Sequence, residues 1–150
     1  KLNNSLKKYF INKYYMPEIQ YKLIFKLKSF ANTSIDISDG VITDLEKMIN
    51  FQKFSYKLNL KHIPISNNLK KIINIKKLKK INFISNGDDY QILFTASKNK
   101  RRIIKNIALK NRIKITNIGK IQSINKKSSI VNEKNIKIML KNKGYIHEFN

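Results

Sequence analysis

All five aspartates of this chain lie in two places. Asp36, Asp39 and Asp44 fall within Ser34 to Leu45, which reads Ser-Ile-Asp-Ile-Ser-Asp-Gly-Val-Ile-Thr-Asp-Leu. Asp88 and Asp89 fall within Ser85-Asn-Gly-Asp-Asp-Tyr90. Two of the four glycines, Gly40 and Gly87, share these stretches. The background is strongly cationic, with 32 Lys and Arg against nine Asp and Glu and a formal net charge of +23. Short carboxylates gathered with glycine against such a background mark a site. Asp holds its oxygens close to the backbone, so a turning loop can aim them at a metal or a polar ligand. Gly lets the backbone turn sharply or come close to a ligand.

The first stretch predicts strand, turn and helix. Thr33 to Ile37 is a β-branched, apolar run with Asp36 inside it, as in a buried strand. Ser38, Asp39 and Gly40 break the pattern. Val41, Ile42, Leu45, Met48 and Ile49 then recur at the spacing of an amphipathic helix over Val41 to Asn50. Asp39 or Ser38 is the expected N-cap. Such turns aim free amides at anions. The bland alternative is that Asp39 only caps the helix; the strand carboxylate Asp36 and the second acidic loop weigh against it.

At 150 residues with 41% hydrophobic content, the chain is long enough for one domain with a real core. The absence of cysteine excludes a disulfide framework and any thiolate metal site. No apolar run approaches a membrane span and no signal peptide is recognisable, so a cytoplasmic location is expected. The chain opens on Lys1 rather than Met, so Lys1 is not read as a natural start. The charge first suggests nucleic acid. Yet the only arginines are Arg101, Arg102 and Arg112, and Lys, Ile and Asn dominate throughout, as an AT-rich genome dictates. Arginine forks serve guanine and phosphate recognition best. Nucleic acid is therefore not the expected main partner.

The remaining stretches read as follows. Lys1 to Tyr15 suits a short helix, and Pro17 opens a second, with Ile19, Leu23, Phe25, Leu27 and Phe30 as its apolar face. Phe54 to Leu60 alternates as a half-buried strand. His62, just beyond it, reads as a surface or turn residue rather than a catalytic base. Leu69 to Ile84 predicts one or two short helices, and Gln91 to Ala96 a central strand. Arg101 to Leu109 predicts a helix and Ile113 to Ile118 a strand. Asn125 to Asn135 reads as a polar hairpin-like loop before a last strand, Ile136 to Leu140. Tyr90 alone reads as core packing, and Asp44 as a stabiliser of the first helical turn. The expected fold class is α+β, a mixed sheet with flanking helices.

Ile35-Asp-Ile-Ser-Asp-Gly-Val41 with Asp44-Leu45 resembles the "DISDGL…DL" signature of the thiamine-monophosphate kinases. Asn86-Gly-Asp-Asp-Tyr-Gln-Ile-Leu-Phe-Thr95 resembles that family's "GGEDYELLFT". Ile118-Gly-Lys-Ile121 matches "IGRI", Pro64 and Ser66 fit "LPLS", and Gly144-Tyr-Ile-His-Glu-Phe149 resembles "GYDHF". The resemblance runs from about Pro17 to Phe149. It implies the C-terminal half of the enzyme, in the C-terminal domain of the aminoimidazole-ribotide-synthetase-like fold with partial ferredoxin-like topology. Residues 1–16 would link to a missing N-terminal half and 17–150 would form the domain.

The resemblance also implies a chemistry. ATP phosphorylates thiamine phosphate to thiamine diphosphate with Mg2+, in a homodimer of the full-length enzyme. Asp36 and Asp39 are the implied Mg2+ ligands and Ser38 an ATP contact. Asp88 and Tyr145 are the implied substrate contacts, and no further catalytic residue is assigned. Three positions depart from the family pattern: Asn86 for Gly, Asp88 for Glu, and Ile146 for Asp. Asn86 matters if its position needs a positive φ, which Asn tolerates better than most residues. The departures leave room for a related ATP-dependent synthetase or kinase of the same fold. A basic RNA-associated module is the reading from another class, and the intact aspartates argue against a decayed remnant.

Overall fold

The structure, a computed structural model, describes residues 2–50 and 53–139. The chain opens with helix α1, Asn4–Tyr15, whose N-cap Asn3 accepts the Leu6 amide at 2.9 Å. Helix α2 follows, Tyr21–Leu27, then strand β1, Ala31–Asp36, and helix α3, Val41–Asn50. Strand β2 is Phe54–Asn59 and helix α4 is Asn67–Ile75, capped by the Ser66 hydroxyl on the Leu69 amide. Strand β3, Ile92–Ala96, and helix α5, Arg101–Asn111, come next. Strands β4, Gly119–Ser123, β5, Ser129–Val131, and β6, Lys137–Ile138, complete the described chain.

Two sheets result. β1 and β3 pair antiparallel, from Ala31 opposite Ala96 to Asp36 opposite Ile92. The second sheet runs β4-β2-β5-β6, with β2 antiparallel to β4 but parallel to β5. It is the mixed sheet expected, and the α+β class holds.

Helix α3 packs against both β1 and β2 and so joins the two sheets. Its periodic face explains this. Val41, Ile42, Leu45 and Ile49 are all buried, against Tyr56 and Leu58 of β2, Leu93 of β3 and Ile130 of β5. Burying each such side chain contributes about 1.5–3 kcal/mol. Tyr56 carries a polar tip into this core, and its hydroxyl donates to Glu46 at 3.0 Å. Phe30 and Phe94 meet edge to face, with ring centroids 5.1 Å apart, behind the β1–β3 pair.

Four expectations are corrected. The helix after Pro17 begins only at Tyr21, where Gln20 receives the first backbone bonds; of its expected apolar face, Leu23 and Phe30 are buried while Ile19 and Phe25 stay exposed. Ile113 to Ile118 forms no regular element, and the strand forms from Gly119 instead. The stretch 125–135 is not all loop, because β5 lies in it and inserts beside β2. Finally, β3 pairs with β1 alone among the described residues, so it is not central.

Candidate functional site

The site grows from the end of the β1–β3 pair. Beyond Asp36 the two chains stay joined: the Ile37 amide donates to Gln91 O at 2.8 Å, Tyr90 N–H to Ile37 O at 2.9 Å, and Asp88 N–H to Ser38 O at 2.9 Å. On the far side of the turn, Val41 N–H donates to Ile84 O at 3.1 Å. The two acidic loops are thus one unit. Glycine makes the contact possible. A Cβ on Gly87 would stand 2.0 Å from Ser38 O, and one on Gly40, at φ +113°, would stand 2.8 Å from Ser85 O. Ser85 Oγ is buried at this junction without a hydrogen-bond partner.

Asp44 shapes the first loop. It is 1% exposed, and its Oδ2 accepts the amides of Ser38 at 2.9 Å, Asp39 at 2.9 Å and Gly40 at 3.1 Å. The residue directly before the helix is Gly40, rather than the Ser38 or Asp39 expected as N-cap. Asp44 therefore reaches back from the first turn of α3 and fixes the loop that carries Ser38 and Asp39. This deepens its expected role in that turn.

Lys47 is a participant the sequence reading missed. Its ammonium donates to Asp39 Oδ2 and lies 3.4 Å from Asp44 Oδ1. The hydrogen bond it donates to Asp39, then the Asp39 and Asp44 charges, raise its pKa against the opposing effect of burial. The signal was present as spacing: Lys47 stands three residues after Asp44 on the same helix.

Asp36 is exposed at the end of β1, Ser38 is half-buried, and Asp88 is exposed at φ 63°. Tyr90 is not core packing: it is 40% exposed, at φ 48°, and its hydroxyl donates to Asp88 at 3.2 Å. That bond, then the Asp88 charge, then burial and more weakly the charges of Tyr14 and Asp36, raise the Tyr90 pKa. Burial of the carboxyl, then the Asp88 charge, push Asp89 upward, although the residue as a whole stays exposed. The positive φ that Asn86 was expected to test falls on Asp88 and Tyr90 instead. His62 is exposed in a turn, as read. Tyr145 and the Gly144–Phe149 motif lie outside the described residues.

The structure therefore gathers Ser38, Asp36, Asp39 and Asp88 on one rim. Carboxylate oxygens are the hard donors Mg2+ takes, often one or two from the protein with phosphates and waters completing the shell. The Lys47 ammonium occupies Asp39 Oδ2, so a metal ion at Asp39 would share or displace it. Among the described residues no three His, Cys, Asp or Glu side chains come together as a metal cage. A metal ion held by one or two of these carboxylates would need phosphate or water oxygens to complete its shell.

No protein-family model matches the chain. It is 34% identical over 146 residues to the thiamine-monophosphate kinase of Buchnera aphidicola subsp. Acyrthosiphon pisum, covering 97% of this chain and 44% of that protein. It is 35% identical over 147 residues to the same enzyme of Buchnera aphidicola subsp. Schizaphis graminum, at the same coverages. The chain spans less than half the length of these curated relatives. A crystal structure of thiamine-monophosphate kinase from Stenotrophomonas maltophilia matches with a TM-score of 0.75 at 21% identity, over 88% of this chain and 40% of that one. AaThiL complexed with AMPPCP and TMP matches with a TM-score of 0.75 at 21% identity, over 99% of this chain and 44% of that one. These structural likenesses show the fold, the aminoimidazole-ribotide-synthetase-like α+β fold.

Proposed function

The chain belongs to the thiamine-monophosphate kinase family, and from that premise we propose that it forms the C-terminal half of an enzyme that moves a phosphoryl group from ATP to thiamine phosphate. The product is thiamine diphosphate. Residues 1–16 lead from the N-terminal half and 17–150 form the domain. That half, and a homodimer of the full-length protein, complete the enzyme in the cytoplasm. No described helix is long and apolar enough to cross a membrane.

The observation that carries this reading is the fastening of the two acidic loops, with Asp88 N–H on Ser38 O. It joins the loop that carries Ser38 and Asp39 to the loop that carries Asp88. Phosphoryl transfer needs charge neutralisation and in-line positioning more than covalent chemistry. Asp36 and Asp39 would hold Mg2+, which would neutralise the phosphate oxygens. Ser38 would contact ATP. Asp88 would hold the cationic or amino part of thiamine phosphate, with Tyr145 under its ring. Tyr90, bonded to Asp88, would fix that carboxylate in place.

The test measures ATP-dependent thiamine diphosphate formation by three proteins: this chain, the same chain joined to its N-terminal half, and that longer protein carrying Asp39→Asn. Turnover is expected only from the longer protein. Asp39→Asn should lower its rate by about 100-fold or more, the scale of a lost electrostatic contact to a developing charge. Turnover by this chain alone would overturn the division of labour. No turnover by the longer protein would overturn the reading itself.

A further inference from the structure

A recess of ≈ 140 Å³ opens between the β2–α4 connection, the turn at Lys80 and the irregular segment 113–118. Lys61, His62, Lys70, Lys80, Lys114 and the Thr116 hydroxyl line it, together with apolar atoms, and no carboxylate does. It shares no residue with the acidic rim.

Lysine is common throughout this chain, so the number of lysines decides nothing. The placement does. Surface lysines extend into water. Lys80 instead is half-buried, with its ammonium donating to Lys61 O at 3.2 Å and to Ile63 O. Those carbonyls hold it at the recess wall. Burial first, and the Lys70 charge second, lower its pKa, and its hydrogen-bond partners are neutral carbonyls rather than a carboxylate. The rim lysine Lys61 has a partner in Glu133 at 3.5 Å, but both are exposed and that carboxylate does not line the recess.

Like charges held together in a depression favour an anion there. Size narrows the class. One water claims about 30 Å³ of liquid, so the recess takes a group the size of a few waters. Thr116 adds a hydroxyl able to donate to an oxyanion.

We propose that this recess is a binding site for a single phosphate-class oxyanion, held by Lys70, Lys80, Lys114 and Thr116. The anion is either free phosphate or the terminal phosphoryl group of a small phosphate ester projecting into solvent.

The 150-residue chain is titrated by calorimetry with inorganic phosphate and with methyl phosphate, against chloride at matched ionic strength. Saturable binding at one site is expected. Lys80→Met and Lys114→Met should each weaken it about tenfold or more, whereas Lys105→Met on α5 should leave it unchanged. Lys114 is exposed, so its variant keeps the test decisive if Lys80→Met unfolds the chain. Tighter binding of the ester identifies an organic source, and equal or tighter binding of phosphate identifies the free ion. Binding no stronger than that of chloride, or an equal loss in Lys105→Met, overturns the proposal. So does saturable binding of an oligonucleotide without binding of phosphate. None of these outcomes depends on the kinase assay.

Discussion

Three backbone amides converge on one oxygen of Asp44, whose other oxygen faces Lys47. Hydrogen bonds to a charged group contribute about 1.5–3 kcal/mol each, and buried donors left without an acceptor cost about 1–3 kcal/mol each. Bonds that share an oxygen do not add fully. Asp44→Ala should therefore destabilise the chain by about 3–5 kcal/mol, among the larger effects a point change has. Asp44→Asn keeps one acceptor oxygen without its charge, and should cost about 1–2 kcal/mol. Urea denaturation of the three proteins at neutral pH checks both values. A loss below about 1 kcal/mol for Asp44→Ala would mean that the loop holds itself without this residue. The sequence places Asp44 in the first turn of a helix, where a carboxylate is stabilising anyway. That it reaches backward onto the preceding loop depends on how the loop folds, and no spacing states it.

Among the elements, the contact between the loops at 38–40 and 85–87 decides whether the aspartates form one site. Gly87→Ala would bring a methyl group to 2.0 Å from Ser38 O, a backbone atom that cannot rotate away. The loops should separate, with the loss of the Asp88–Ser38 bond and a stability cost of about 1–3 kcal/mol. Hydrogen exchange at the Asp88 amide reads this directly: it should speed up in Gly87→Ala while the amides of β2 keep their protection. Unchanged exchange at Asp88 would show that the loops are joined by something else. Much at this scale was legible. The α3 stripe gave that helix its bounds, because one face of Val41 to Asn50 had to be buried and did so between two sheets. The segment Ile113 to Ile118 was misread because alternation reports an extended chain with one buried side, not a hydrogen-bonded neighbour. Ile113, Ile115 and Ile118 are half-buried, but pairing with β2 is held by Gly119–Ser123. The gathering of all five aspartates in two stretches pointed to a shared site, but the loop contact itself was not legible, since the pairing of residues some 50 apart leaves no local pattern.

For the molecule as a whole, the formal charge of +23 sets a condition that local contacts do not remove. Described pairs such as Lys13–Glu18 and Lys61–Glu133 are solvent-exposed, and such pairs contribute about 0–1 kcal/mol. A domain of this length has a radius of gyration of about 15 Å. The screening length is about 30 Å at 0.01 M salt and about 8 Å at 0.15 M. At the lower salt nearly every lysine repels every other across the fold, whereas at the higher only neighbours do. Unfolding relieves that repulsion by moving the charges apart. The midpoint of urea denaturation should therefore rise from 0.01 M to 0.15 M sodium chloride, by the equivalent of about 1 kcal/mol or more. Salt also weakens Lys47 on Asp39, which pulls the other way, but that is one exposed cation against an excess of 23. A midpoint that falls with salt would show that local pairs outweigh the collective field. The same field extends into solvent at low salt, where it draws phosphorylated molecules toward the surface before any contact forms. Capture of phosphorylated molecules and fold stability should thus move oppositely as salt is added, and measuring association rate and denaturation midpoint over the same series tests both consequences of one charge distribution.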